Sequence, residues 1–141
     1  MAAMNSPANA AQVGLVLVSH SAALVNGLAE LVGQVAGPAV SIQAVGGTVD
    51  GTLGTDGERV LTALQAAAVP PGAVVLMDLG SSVLAVSAAL EDLTDAQRAC
   101  IVVADAPLVE GAVAAGVLAS VGAELADVAQ AAEEARNARK L

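Results

Sequence analysis

The chain has 141 residues, enough for one domain of ordinary size, with 56% hydrophobic residues, 13% charged ones and no Phe, Tyr or Trp. Five basic residues against fourteen acidic ones give a formal charge of −9, which argues against nucleic acid and anionic membranes as partners, and without aromatics there is no stacking platform for bases or sugars. One cysteine and one histidine rule out an internal disulfide and a zinc-type ligand set, so no metal is expected.

Residues 1–12 are small and polar, lack periodicity and read as a flexible tail, leaving the folded domain at 13–141. The tail has no basic start of the signal-peptide kind, and Val13–Val18 is far too short to span a bilayer, so a cytoplasmic protein is expected. Val13-Gly-Leu-Val-Leu-Val18 predicts a buried strand, and residues 21–35 predict a helix with Leu24, Leu28, Leu31 and Val35 on one face. Gly37-Pro38 stops it, and Val40–Val45 forms the second strand. The glycine-rich stretch Gly46–Gly54 is longer than a simple connection needs.

Thr55-Asp-Gly-Glu58 has capping-box spacing, which predicts a helix over 56–68, with Thr55 and Asp56 as caps. Pro70-Pro71-Gly72 breaks the chain before a third strand at 73–77. Asp78-Leu-Gly-Ser-Ser82 leads into a helix through Leu93, and Cys100–Ala104 reads as the fourth strand, with Cys100 a small core residue at its start. Pro107 opens a helix of small residues to about Val121. Residues 124–140 predict a last helix, acidic early and basic late as the helix dipole prefers.

Val-rich strands buried on both faces and separated by helices predict an α/β fold: a single-domain open parallel four-stranded sheet, order 2-1-3-4, with helices on both faces. In such sheets a site forms beyond the C-terminal strand ends, where strand order reverses. Here that point lies between strands one and three. His20 follows strand one and Asp78 follows strand three, so Ser19-His20-Ser21 faces Asp78-Leu79-Gly80-Ser81-Ser82.

This constellation suits phosphoryl acceptance. A neutral imidazole attacks through one nitrogen, while a carboxylate on the other fixes the tautomer and raises basicity. The N–H groups of Gly80, Ser81 and Ser82, at a helix start, suit an incoming phosphoryl group. Ser19, Ser21 and Ser81 can add hydroxyl donors, and Gly80 admits close backbone approach. A lone histidine is more often a surface or structural residue, and Asp78 and Ser81 alone would be ordinary helix caps. It is the convergence on one switch point that favours chemistry.

Four strings in register carry a resemblance: Val18-Ser19-His20-Ser21, Gly54-Thr55-Asp56, Met77-Asp78-Leu79-Gly80-Ser81 and Ala106-Pro107-Leu108-Val109-Glu110-Gly111. Together they resemble the DhaM phosphocarrier subunits of phosphotransferase-system-dependent dihydroxyacetone kinases, and the domain is similar to mannose-class IIA domains. The resemblance implies that His20 accepts a phosphoryl group from HPr, itself charged from phosphoenolpyruvate through enzyme I. It implies transfer to ADP held on the DhaL subunit, and use of the resulting ATP on dihydroxyacetone bound to DhaK. No cofactor would then reside on this chain. Asp78 matches the orienting carboxylate, and Gly80 and Ser81 match the phosphate-side loop.

The resemblance also implies a homodimer; the small apolar residues of 112–121 fit that if exposed, and packing on the sheet would equally bury them. Some relatives carry fused HPr-like and enzyme-I-like segments, so a separate donor is expected here. The sugar-transporter type of mannose-class IIA continues into an additional strand, which favours the kinase subunit over that alternative. A receiver-like signalling domain would instead place the phosphoryl group on Asp78. It would need an acidic pair after strand one and a lysine after the last strand, and this sequence has Ser19-His20-Ser21 and only Lys140. A non-catalytic binding module is the remaining class; phosphorylation of His20 separates it from a carrier.

Overall fold

The computed structural model describes residues 11–141, so all of the expected 1–12 tail except Ala11 and Gln12 lies outside the described residues. Four parallel strands, β1 (Gly14–Ser19), β2 (Ile42–Gly46), β3 (Ala73–Met77) and β4 (Ile101–Val103), form one sheet in the order β2-β1-β3-β4. Val18, near the end of β1, pairs with Val45 on one side and Met77 on the other. The loops after β1 and β3 therefore emerge side by side.

The strands are apolar on both sides because helices cover both faces. Leu15 and Leu17 point into a core built with α1 (Ala22–Ala36), α5 (Leu108–Ser120) and α6 (Leu125–Glu134). Val16 and Val18 point the opposite way, into a second core with α2 (Gly57–Ala67) and α3 (Gly80–Glu91). Each such fully buried aliphatic side chain contributes about 1.5–3 kcal/mol, which lets a chain without aromatic residues hold two apolar layers.

Several local expectations are corrected. The buried face of α1 is Val25, Leu28, Val32 and Ala36, while Leu24, Leu31 and Val35 are exposed. The smaller side chains win because α1 lies close against α5. A Cβ added at Gly116 would stand 2.8 Å from Val32 Cγ1 and 3.4 Å from Ala36 Cβ, so only the slimmer stripe fits that crossing. The small residues of 112–121 serve the same packing: Ala112, Ala115 and Ala119 are fully buried in the core. Val117 and Val121 of the same stretch are exposed.

Asp56, not Thr55, caps α2 and accepts from the N–H groups of Glu58 and Arg59. A short helix, α4 (Asp95–Arg98), opened by a Thr94–Gln97 capping box, follows α3, which ends at Glu91 rather than Leu93. Cys100 precedes β4 and is half-exposed rather than core. Helix α6 stops at Glu134 and passes into a 3-10 turn at Ala135–Asn137. Two of the three basic residues beyond it pair elsewhere, Arg136 with Asp105 and Lys140 with Glu110. No helix among the described residues is long and apolar enough to cross a membrane.

Candidate active site

His20 and Asp78 meet at the switch point. His20 Nδ1 lies 2.9 Å from Asp78 Oδ1, and the His20 backbone N–H donates to Asp78 Oδ2 at 3.0 Å. Ser19, the last residue of β1 and fully buried, donates its hydroxyl to the same Oδ2 at 2.7 Å and accepts from the Ser21 N–H at 3.0 Å. Ser82, also fully buried, donates to Asp78 Oδ1 at 2.9 Å, and the Leu79 N–H donates to that oxygen too. Both carboxylate oxygens are thus held by donors from β1, its following loop and α3.

This environment keeps Asp78 charged. Partial burial pushes its carboxyl up, but the Ser19 hydroxyl, the backbone N–H and ring of His20 and the Leu79 N–H outweigh it and hold the group well below the usual carboxylate range. An ionised carboxylate can only accept, so the proton of the neutral ring sits on Nδ1 and the lone pair on Nε2. Ser81 stands against Nε2 and donates to it. The ring as a whole is one-quarter exposed.

The expected phosphate-side residues divide into two groups. Gly80 and Ser81 begin α3, a helix whose N-terminus no side chain caps, and their N–H groups are first-turn donors that the helix leaves without a partner. The Ser82 N–H, by contrast, donates to Leu79 O at 3.0 Å. The hydroxyls of Ser19 and Ser82 are committed to Asp78, and Ser21 caps α1 by accepting from the Leu24 N–H. These three serines shape the carboxylate and the entry of α1; Ser81 alone presents a hydroxyl to Nε2.

Gly46, paired with Ser19 across β1 and β2, makes this approach possible. A Cβ there would stand 2.6 Å from both Ser21 O and Val25 Cγ1, pushing the start of α1 away from the site. The stretch after it is folded rather than loose linkage. Gly47 bridges Thr55, Thr48 N–H donates to Thr52 O, and Gly54 N–H donates to His20 O at 2.9 Å. Thr55 Oγ1 lies 3.2 Å from Ser82 Oγ. Reasoning from spacing assigns Thr55 to a helix cap and so misses this contact.

Comparison with known proteins identifies the family. The sequence model of the EIIA-man family, described as the PTS system fructose IIA component, matches residues 14–129. The phosphoryl donor subunit DhaM of the PEP-dependent dihydroxyacetone kinase of Providencia stuartii is 37% identical over 135 residues, covering 91% of this chain and 28% of that protein. The chain thus spans about 28% of the length of such relatives. The DhaM subunit of dihydroxyacetone kinase 2 of Listeria innocua is 36% identical over 105 residues, covering 74% of this chain and 84% of its own length. The crystal structure of EF1359, a protein of unknown function, superposes with a TM-score of 0.78 at 32% identity, covering 92% of this chain and 97% of that one. The chain therefore belongs to the EIIA-man family, in which it groups with DhaM subunits.

Proposed function

We propose that the chain is a phosphohistidine carrier, with His20 Nε2 as the acceptor atom. The observation that carries this reading is the Asp78-held imidazole whose Nε2 faces Ser81 and the open start of α3. The Nε2 lone pair attacks phosphorus as the donor's bond to it breaks, giving a phosphorylated ring that retains its Nδ1 proton. That ring carries a positive charge, which the ionised Asp78 carboxylate stabilises at 2.9 Å. Onward transfer reverses these changes: the Nε2–P bond breaks and a neutral imidazole leaves, so no proton moves in either direction. Ser81 and the Gly80 and Ser81 N–H groups receive the phosphoryl oxygens, as helix starts do for anions.

The donor is HPr, and the acceptor is ADP held on a DhaL subunit, whose ATP then serves dihydroxyacetone on DhaK. ADP and ATP stay on the partner, and the chain holds no cofactor of its own. Leu79 and Leu84, exposed at the start and in the second turn of α3, suit protein partners, and the net charge of −9 steers a basic donor. The chain acts in the cytoplasm as a homodimer; sedimentation showing only monomer at micromolar concentration removes the dimer. A sugar-transporter IIA role is the second reading, favoured by the description of the matching family.

Incubation with phosphoenolpyruvate, enzyme I and HPr tests the proposal. One phosphoryl group per chain is expected, discharged by DhaL with ADP and left in place by ADP alone. Discharge only by a sugar-transporter component selects the second reading. His20→Ala should stay folded and take up no phosphate; uptake by that variant overturns the carrier role.

A further inference from the structure

Ser82 sits at the centre of a directed set of hydrogen bonds. Its Oγ lies 2.9 Å from Asp78 Oδ1, 3.3 Å from His20 Nδ1 and 3.2 Å from Thr55 Oγ1. A hydroxyl has one proton. Because the Asp78 carboxylate is ionised and only accepts, that proton goes to Oδ1. The Ser82 oxygen must then accept from its other neighbours, so the Thr55 hydroxyl donates to Ser82, and the Nδ1 proton is shared between Oδ1 and Oγ. The order Thr55 to Ser82 to Asp78 is fixed by the charge at its end, and each bond polarises the next.

We infer that Thr55 is a positioning residue for His20, acting through Ser82 to hold Asp78 and to keep the ring in its Nδ1–H tautomer. Thr55 is half-buried at the end of the folded 46–54 loop, adjacent to Gly54, whose N–H holds His20 O. The same corner of the chain therefore grips the histidine by its backbone and, through Ser82, by its ring. Without the Thr55 hydroxyl, Ser82 loses its donor and can rotate its own proton toward other acceptors, which loosens Asp78 Oδ1 and admits the other tautomer. The inference rests on the carrier reading only for its effect on transfer; its effect on the ring stands without it.

The test uses the unphosphorylated chain and ring-nitrogen NMR of His20, followed by the rate of phosphoryl uptake from HPr. Thr55→Val should mix the Nε2–H tautomer into the ring signals and slow uptake by about tenfold, the lower end for partners of this kind. Thr55→Ser should restore both. Thr62→Val, which removes an exposed hydroxyl bonded to Glu58 O on the same helix, should change neither. Should Thr55→Val fail to fold, Thr55→Ala and a cycle with Ser82→Ala replace it, and Thr55→Ala should add no further loss on a Ser82→Ala background. Wild-type ring signals in the Thr55 variant, or additive losses in the cycle, overturn the inference. A tautomer change without any phosphoryl uptake in the wild type would instead leave the inference standing and remove the carrier reading.

Discussion

Two helices start beside His20, and they treat their first N–H groups differently. At α1, Ser21 accepts from the Leu24 N–H, and the Ser21 N–H is itself held by Ser19. At α3, Leu79 occupies the capping position and offers no side-chain acceptor. Helices α5 and α6 also start without a side-chain cap, so an open start alone marks nothing. What sets α3 apart is the imidazole above it, with Nε2 against Ser81. A cap is worth about 1 kcal/mol, and its omission here leaves the donors of Gly80 and Ser81 for an anion.

The largest effect short of losing His20 should come from Asp78, which joins the two loops. Asp78→Ala should slow phosphoryl uptake on the order of 10–100-fold while circular dichroism stays native; a wild-type rate would reduce Asp78 to a local structural acceptor. Its charge also predicts an acid limb. The folded carboxyl lies below its ordinary value of 3.8, so its stabilising contribution is present in full above that pH. It is lost as pH falls further toward the folded value. Asp78→Asn should therefore be less stable than the wild type near neutrality and converge on it in strong acid, as measured by urea unfolding.

Closing α3 tests the contrast from the other side. Leu79→Ser supplies a cap that competes for the Ser81 and Ser82 N–H groups. It should raise the Tm by about 3–5 °C and slow phosphoryl uptake a few-fold. Higher stability with undiminished uptake would show that the Ser81 N–H does not serve the phosphoryl group. The smallest effect on transfer belongs to α1. Ser21→Ala should cost about 1 kcal/mol in denaturant unfolding and leave the uptake rate unchanged.

The sheet was legible because its signal is simple. Val-Leu-Val and Val-Val-Leu runs too short for helices can only be buried strands, and β3 lies at 73–77 as its flanking Pro-Pro-Gly and Asp-Leu-Gly suggest. The meeting of His20 and Asp78 follows from strand order alone. The α1 face was misread because residue size and burial disagree there: Leu24 and Leu31 look like core, yet Gly116 admits Val32 and Ala36 instead. The contacts of Ser19 with Asp78 and of Thr55 with Ser82 cross 59 and 27 residues of sequence, and no local spacing encodes them. Thr55 carried one legible hint, since Asp56 could cap α2 without it.

The central claim is that phosphorus bonds to Nε2 of His20 while Asp78 keeps the Nδ1 proton. Phosphorus–nitrogen coupling measured on the phosphorylated chain with labelled histidine tests it directly. The account predicts a single Nε2–P linkage, labile to acid and stable to alkali, with Nδ1 still protonated. Phosphorus found on Nδ1, on the Ser81 hydroxyl or on the Asp78 carboxyl would contradict it.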